Sequence, residues 1–165
     1  MFTSRKLIVH VLLVLLFGAV SLMATVPARA ESNTQFSGVS VFVSTDECSD
    51  LPSPYYPPLK MAGGLVGCWY TDTLEVTHDP VHGTYQERGT ETFVGCLTDG
   101  TTCGSFSTTY KFTAKLAADG SEIHGHCEHP LVSGTGDFAG ITGQVYIRDD
   151  VQDALYPYHG HFQLP

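Results

Sequence analysis

Side chains alternate between two kinds along residues 105–116, and this alternation constrains the fold more than any other feature of the sequence. Every second residue from Phe106 to Leu116 is apolar except Thr108, and the residues between them are Ser, Thr or Lys. A period of two places successive side chains on opposite faces of a β-strand. The segment is therefore predicted to be a strand with one buried face and one face in solvent.

Six further runs are predicted to be strands, and no window has a helical period. Proline has no N–H to donate to a β-ladder, so the proline-rich segment at residues 46–60 is predicted to be a surface loop. Long strands joined by short turns predict an all-β fold, a closed antiparallel β-barrel of about eight strands, lipocalin-like in shape, because closure removes exposed sheet edges. The six runs are Phe36–Val43, Leu65–Val76, Tyr85–Leu97, Ile123–Val132, Ile141–Ile147 and Tyr156–Leu164.

The first 30 residues have the pattern of a signal peptide. Arg5 and Lys6 precede an apolar run that ends near Ala24, and the small residues Ala28 and Ala30 suit cleavage after residue 30. The apolar run is long enough that an uncleaved membrane anchor is the alternative. Residues 31–165 are predicted to form a single domain that is secreted, either extracellular or periplasmic, and has no membrane contact after cleavage.

The charge of the predicted mature chain excludes one class of partner. After residue 30 the chain has five basic side chains and all 17 acidic ones, a formal charge of −12. Binding to phosphate backbones requires a basic surface that releases counterions. Nucleic acid is therefore not an expected partner.

All five cysteines follow the predicted signal peptide, and export favours disulfides. Cys96 and Cys103 flank a short polar turn between two strands and are predicted to be bridged. A second predicted pair is Cys68 with Cys127, since the alternation places both on the inner face of the barrel. Cys48 with Cys68 is the competing pair. No Cys-x-x-Cys spacing is present, so a zinc site is not predicted.

Two pairs of histidines, His124 with His126 and His159 with His161, are spaced two residues apart. Both members of such a pair project from one face of a strand. This face is opposite the apolar one, so an outward polar or subunit-contact role is predicted, with no metal and no other cofactor. A divalent metal site and a pH-sensing role are the alternatives.

Two acidic residues are the candidates for catalysis. Glu87 and Glu91 share the alternation of Tyr85 and Phe93, which predicts that one or both point into the barrel. Burial raises the pKa of a carboxyl group and allows it to act as a general acid or base. The alternative is that Gln86, Arg88 and Thr90 mark the inner face and leave both carboxylates in solvent.

The apolar faces of the strands predict an aromatic-walled cavity. Gly125, Gly143 and Gly160 share the inward alternation and are expected to leave space beside them. The leading hypothesis is that the cavity binds a small apolar or aromatic molecule. One alternative is an isomerase or cyclase that uses Glu87 or Glu91, and another is an interaction module with a solid barrel that contacts further subunits. The predicted ligand-binding residues are Tyr70, Tyr85, Tyr110, Phe112, Tyr158 and Phe162.

The stretch Gly-Thr-Gly-Asp-Phe-Ala-Gly at residues 134–140 resembles the Gly-x-Gly-x-Phe corner of allene oxide cyclase and dirigent barrels. The final run, residues 158–162, is also similar to that group, and the resemblance covers about the last 45 residues. It implies an eight-stranded antiparallel barrel with a small-molecule cavity, often in a dimer or trimer. Plant members of the group direct cyclisation or radical coupling of reactive ligands. Their catalytic residues do not align with this chain, so none is carried over.

Overall fold

The structure is a computed structural model that describes residues 33–148 and 154–165. The predicted signal peptide, residues 1–30, lies outside the described residues. Within the two described ranges the chain forms eight β-strands and no helix: β1 (Thr34–Phe42), β2 (Leu59–Gly63), β3 (Leu65–Asp79), β4 (Thr84–Leu97), β5 (Cys103–Leu116), β6 (Glu122–Gly136), β7 (Thr142–Ile147) and β8 (Tyr156–Gln163).

The strands form one closed barrel. Each pairs antiparallel with the strands before and after it in the chain, and β1 pairs with β8 to complete the sheet. The predicted closed antiparallel barrel is therefore confirmed. Seven strands correspond to the predicted runs, whereas β2 was not among them and takes its first residues from the proline-rich segment. In the described part of the chain, no helix has the length and apolarity to cross a bilayer.

Packed aromatic rings fill one end of the barrel. The ring of Phe106 lies 4.9 Å from that of Phe93, 5.4 Å from that of Phe138 and 5.9 Å from that of Trp69, measured between centroids. Offset and edge-on contacts at these distances add to the free energy gained by burial alone. We call the whole buried cluster the aromatic core; its other members are Leu59, Met61, Leu65, Ile141, Val145, Tyr158 and Phe162.

The first part of strand β3, as far as the register shift that follows Thr73, faces the opposite way to the prediction. Directly opposed residues of two strands share a face, and Trp69 opposes Phe93 of the aromatic core. Trp69 therefore points inward, and Cys68 and Tyr70 point outward. Tyr70 is nevertheless only 3% exposed, because the loop that precedes β2 covers this part of the outer wall and Asp50 accepts a hydrogen bond from its hydroxyl group. With both faces covered, alternation could not identify the inner one.

Two disulfides staple the barrel. Cys96 and Cys103 are directly opposed at the turn between β4 and β5 and are bridged, as predicted. The second disulfide joins Cys48 of the loop to Cys68, so the predicted pairing of Cys68 with Cys127 is wrong. The reason is geometric, since Cys68 lies on the outer face of the wall and Cys127 lines the interior. Two disulfides are typical of extracellular proteins.

The glycine-rich corner after β6 closes the packed end. Phe138 is fully buried in the aromatic core. Asp137 accepts a hydrogen bond at 2.9 Å from the N–H of Cys103, which holds the corner against the start of β5. Gly136 has a φ of 61°, a left-handed conformation that favours glycine. The Gly-x-Gly-x-Phe sequence thus has a structural reason in this chain, namely a tight corner that delivers a ring to the core.

Candidate functional site

The end of the barrel opposite to the packed rings contains a cavity of about 170 Å³. Its wall combines apolar rings with two carboxyl groups, an imidazole and a thiol. We call it the barrel cavity. It is lined by Phe42, Tyr56, Leu59, Thr71, Glu87, Glu91, Tyr110, Phe112, Cys127, His129, Ile147 and Tyr156.

The predicted ligand-binding residues are divided between the two ends of the barrel. Tyr110 and Phe112 line the barrel cavity. Tyr85 borders it, because its ring packs edge-on against that of Phe112 with centroids 6.1 Å apart. Tyr158 and Phe162 belong instead to the aromatic core. The sixth predicted residue, Tyr70, lies on the outer wall of β3, so its predicted inward position is wrong.

The three inward glycines do not create the cavity, so that prediction is wrong. A Cβ atom at Gly125 would lie 2.6 Å from the ring of Phe112, and one at Gly160 would lie 2.6 Å from the ring of Phe36. At Gly143 the obstacle is a backbone carbonyl oxygen 2.1 Å away. These glycines allow rings and strands to approach closely, which is a packing role.

Glu87 lies on β4, only 5% exposed, and accepts four hydrogen bonds. Its Oε2 accepts from the hydroxyl groups of Tyr85 at 2.6 Å and Tyr56 at 2.7 Å, and its Oε1 accepts from Thr73 at 3.1 Å and from Tyr110. Burial is the largest single influence and raises the pKa of the carboxyl group, but the four donors together outweigh it. The pKa of Glu87 therefore lies below its ordinary value, and the group is ionised at neutral pH.

Glu91 lies four residues further along β4, only 7% exposed, and has weaker support. Burial raises its pKa to about 7, against hydrogen bonds from Thr71 at 3.0 Å and Thr108 at 3.4 Å. The indole N–H of Trp69 is near enough to favour the charged form but makes no hydrogen bond of normal geometry. At neutral pH a large fraction of Glu91 is therefore protonated, so the two carboxyl groups differ in charge.

His129 connects this carboxyl group to a thiol. Its side chain is 2% exposed, and burial lowers its pKa to about 4. Its Nδ1 lies 3.3 Å from the carbonyl oxygen of Val145, which can only accept, so Nδ1 carries the proton and Nε2 acts as an acceptor. Nε2 lies 3.1 Å from Oε2 of Glu91 and 3.0 Å from Sγ of Cys127.

The pair Cys127 and His129 was not predicted from the sequence. Cys127 and His129 are two residues apart, the same spacing that drew attention to the outer histidines, and both follow the inward Gly125. The contact of His129 with Glu91 joins β6 to β4, two strands apart in the sheet. No local sequence pattern specifies such a contact across the interior.

The two predicted histidine pairs lie on the outer face, as the alternation indicates. His124, His126 and His159 are exposed, and His161 is half-buried. The ring of His159 stacks on that of Tyr146 with centroids 5.1 Å apart. Among the residues that the structure describes, no group of three or more His, Cys, Asp or Glu side chains is arranged to hold a metal ion.

The barrel cavity thus brings together two carboxyl groups, an imidazole and a thiol. No family model, curated protein or solved structure matches this chain. Its resemblance to allene oxide cyclase and dirigent barrels stays a prediction. A function has to be argued from the side chains of the barrel cavity itself.

Proposed function

We propose that the protein is an exported barrel that binds a small molecule, one apolar or aromatic ring with a single polar substituent, in the barrel cavity. The observation that carries this proposal is the mixed wall. Phe112 and Ile147 offer apolar contacts, while Glu87 and Glu91 are held on the wall with their hydrogen-bonding atoms already oriented. Small-molecule sites combine a mainly apolar lining with a few fixed polar groups in this way.

The volume of the barrel cavity limits the size of the ligand. Apolar cavities of about 150 Å³ in protein cores accept benzene. A cavity of about 170 Å³ therefore suits one ring and a short substituent inside the barrel.

Side chains at the mouth of the barrel cavity supply an access route. Phe42 is 44% exposed and Tyr56 is 37% exposed, although both also line the cavity. The ring of Phe42 packs edge-on against that of Tyr156 with centroids 4.8 Å apart. A ligand would enter between these rings and the loop that carries Tyr56.

Phenol binding measured by calorimetry tests the proposal, with two isoleucine variants that differ only in where they add bulk. Ile147→Phe places a ring inside the barrel cavity, and Ile123→Phe places the same ring at an exposed position near the start of β6, where Ile123 is 61% exposed and does not line the cavity. We expect the dissociation constant to rise at least about tenfold, or about 1.4 kcal/mol, for the inner variant only. If phenol and related single-ring compounds do not bind, the interaction module becomes the better account.

A second candidate function is proton transfer, as in an isomerase or cyclase. It is favoured by the pKa values of the two carboxyl groups, since Glu91 has a pKa of about 7 and Glu87 is ionised. An acid and a base that differ in this way within one cavity are the usual requirement for moving a proton between two positions of a substrate. The resemblance to the allene oxide cyclase group agrees with this candidate.

Deuterium exchange into cyclohexanone tests the second candidate. A base in the barrel cavity would remove a proton from the carbon beside the carbonyl group, and NMR in heavy water would follow its replacement. We expect exchange above the buffer rate in the wild type and in the exposed control Glu128→Gln, and a loss of at least about tenfold in Glu87→Gln or Glu91→Gln. Exchange at the buffer rate in the wild type would remove this candidate and leave binding unaffected.

A further inference from the structure

Cys127 is the only thiol of the chain. The other four cysteines form the two disulfides. Cys127 lies on β6 directly opposite Phe112 and lines the barrel cavity, so a ligand in the cavity would lie against this residue. With no second thiol in the chain, an intramolecular disulfide is not open to it. A molecule that enters the cavity can reach it and react with it.

A base is already in place beside this thiol. Nε2 of His129 lies 3.0 Å from Sγ, and the hydrogen bond from Nδ1 to Val145 fixes the tautomer that leaves the Nε2 lone pair facing the thiol. Pairing of a cysteine with a histidine at hydrogen-bonding distance is the arrangement that activates nucleophilic thiols. Glu91 lies 3.1 Å from the same nitrogen, and its ionised form can accept a hydrogen bond from the imidazolium that forms when Nε2 takes the thiol proton.

We propose that Cys127, with His129 as its base, forms a covalent thioether with small single-ring α,β-unsaturated carbonyl compounds that enter the barrel cavity. This inference rests on the proposed function, because the electrophile must first occupy the cavity. It goes further in assigning a reactive atom and a chemical class of ligand. The soft sulfur nucleophile favours a polarised carbon–carbon double bond, and the cavity volume favours a single ring.

The reaction is a conjugate addition that needs no oxidant or reductant. The thiol proton moves to Nε2 of His129 while sulfur forms a bond to the β-carbon of the ligand. The π electrons of the carbon–carbon double bond move toward the α-carbon and the carbonyl oxygen to give an enolate. The proton on Nε2 is then returned to the α-carbon, which restores neutral His129 and leaves a saturated ketone attached through sulfur.

Intact-mass measurement of the reaction with cyclohexenone tests this proposal. The internal reference is the same chain unfolded in urea without reductant, because the disulfides then stay closed and Cys127 is still the only thiol. We expect one adduct per chain, formed at least about tenfold faster at pH 7 in the folded protein than in the unfolded one. Cys127→Ala should give no adduct.

Two controls assign the effect to the base and to the cavity. His129→Asn retains an N–H at the position of Nδ1 for Val145 but lacks Nε2, and its adduct should form no faster than in the unfolded chain. Cyclohexanone has the same ring without the double bond and should slow the reaction of the wild type. If His129→Asn does not fold, pH dependence decides, since unfolded thiols react about tenfold faster per pH unit below a pKa of about 8.5. The folded rate should change much less between pH 6 and pH 8.

The outcomes separate this proposal from the proposed function. If cyclohexanone binds by calorimetry but cyclohexenone reacts no faster than with the unfolded chain, the reactive thiol is disproved and the binding cavity stands. If the reaction is fast but cyclohexanone does not slow it, the thiol reacts without cavity binding, and the proposal is also wrong. If neither compound binds or reacts, both proposals fail.

Discussion

The two ends of the barrel are built from the same strands but differ in what those strands bury. Along the inner face of β4, Phe93 belongs to the aromatic core, whereas Glu91 and Glu87 reach into the barrel cavity. The same change occurs on β5, from Phe106 in the core to Tyr110, which hydrogen-bonds to Glu87. One end therefore gains free energy from packed rings, and the other bears the cost of desolvating polar groups.

The packed end therefore stabilises the fold, and the cavity end holds the reactive side chains. A buried carboxyl group is destabilising unless donors or protonation compensate for it, and the barrel uses donors for Glu87 and protonation for Glu91. Such a polar interior can persist only because the packed end and the disulfides supply the stability. Variants at the two ends should therefore differ in how much they lower the free energy of unfolding.

The largest expected effect comes from one phenylalanine at each end of β5. Phe106→Ala removes the centre of the aromatic core and should lower the free energy of unfolding by about 3 to 5 kcal/mol. Phe112→Ala enlarges an existing cavity and should cost about half as much or less, because fewer contacts are lost. Urea denaturation of both variants measures the difference. Equal losses would show that the barrel cavity is packed as tightly as the core.

The two disulfides distinguish the ends in a second way. Each should stabilise the protein by about 2 to 4 kcal/mol through chain entropy, with more from the pair 20 residues apart than from the pair 7 apart. Replacing Cys96 and Cys103 by serine should lower the melting temperature without changing phenol affinity. Replacing Cys48 and Cys68 should change both, because that disulfide anchors the loop that brings Tyr56 to Glu87. Unchanged affinity in the second pair of variants would mean that the loop holds its position without the disulfide.

The third prediction concerns pH and the pair Glu91 and His129. Between about pH 4.5 and 6.5 the unfolded chain holds one proton on this pair, on the histidine, and the folded chain also holds one, on the glutamate. The two contributions to the pH dependence of stability therefore cancel in the wild type. Single substitutions should reveal them with opposite signs.

In Glu91→Gln only the lowered pKa of His129 remains, so stability relative to the wild type should fall as pH falls from about 6.5 to about 4. In His129→Asn only the raised pKa of Glu91 remains, so relative stability should fall as pH rises from about 4.5 to about 7. Each slope should reach at most about 1.4 kcal/mol per pH unit. Urea midpoints measured at several pH values test this, and slopes of the same sign in both variants would contradict it.

The smallest effect is expected at the mouth. Tyr56→Phe removes one of four donors to Glu87 from a side chain that is partly in solvent, so it should cost about 1 kcal/mol of stability or less. Tyr110→Phe removes a buried donor to the same carboxylate and should cost about 2 kcal/mol. Thermal unfolding of the two variants gives the ranking. A reversed ranking would place the loop hydrogen bond among the main supports of the barrel cavity.

Most of the fold could be predicted because strand alternation is a local property. Prediction from alternation failed for β2, which has only five residues and directly follows the proline-rich loop. It also failed for the first part of β3, where that loop buries the outer face. In both cases the error came from the proline-rich loop, because the alternation within one strand does not show which other segment packs against it. The disulfide error has the same origin, because it depended on the inner face assigned to Cys68.

The site was predicted only in part, for a different reason. Alternation placed Glu87 and Glu91 on the face of Phe93, but their neighbours Gln86, Arg88 and Thr90 are also polar, so the sequence left the inner face open. The grouping of Glu91 with His129 and Cys127 depends on closure of the barrel, which brings β4 and β6 within contact across the interior. The division into a packed end and a hollow end likewise depends on ring contacts between strands that no single strand encodes.

Closure of the sheet also determines how quickly a guest can be exchanged. Because every strand is hydrogen-bonded on both sides, the wall cannot part without breaking a whole ladder, which is a rare event comparable to partial unfolding. The loop at the mouth is held by one disulfide and a few hydrogen bonds, among them the one from Tyr56, and loops move within nanoseconds to microseconds. Residence time in this protein should therefore follow the dynamics of one tethered loop and be almost independent of the stability of the barrel.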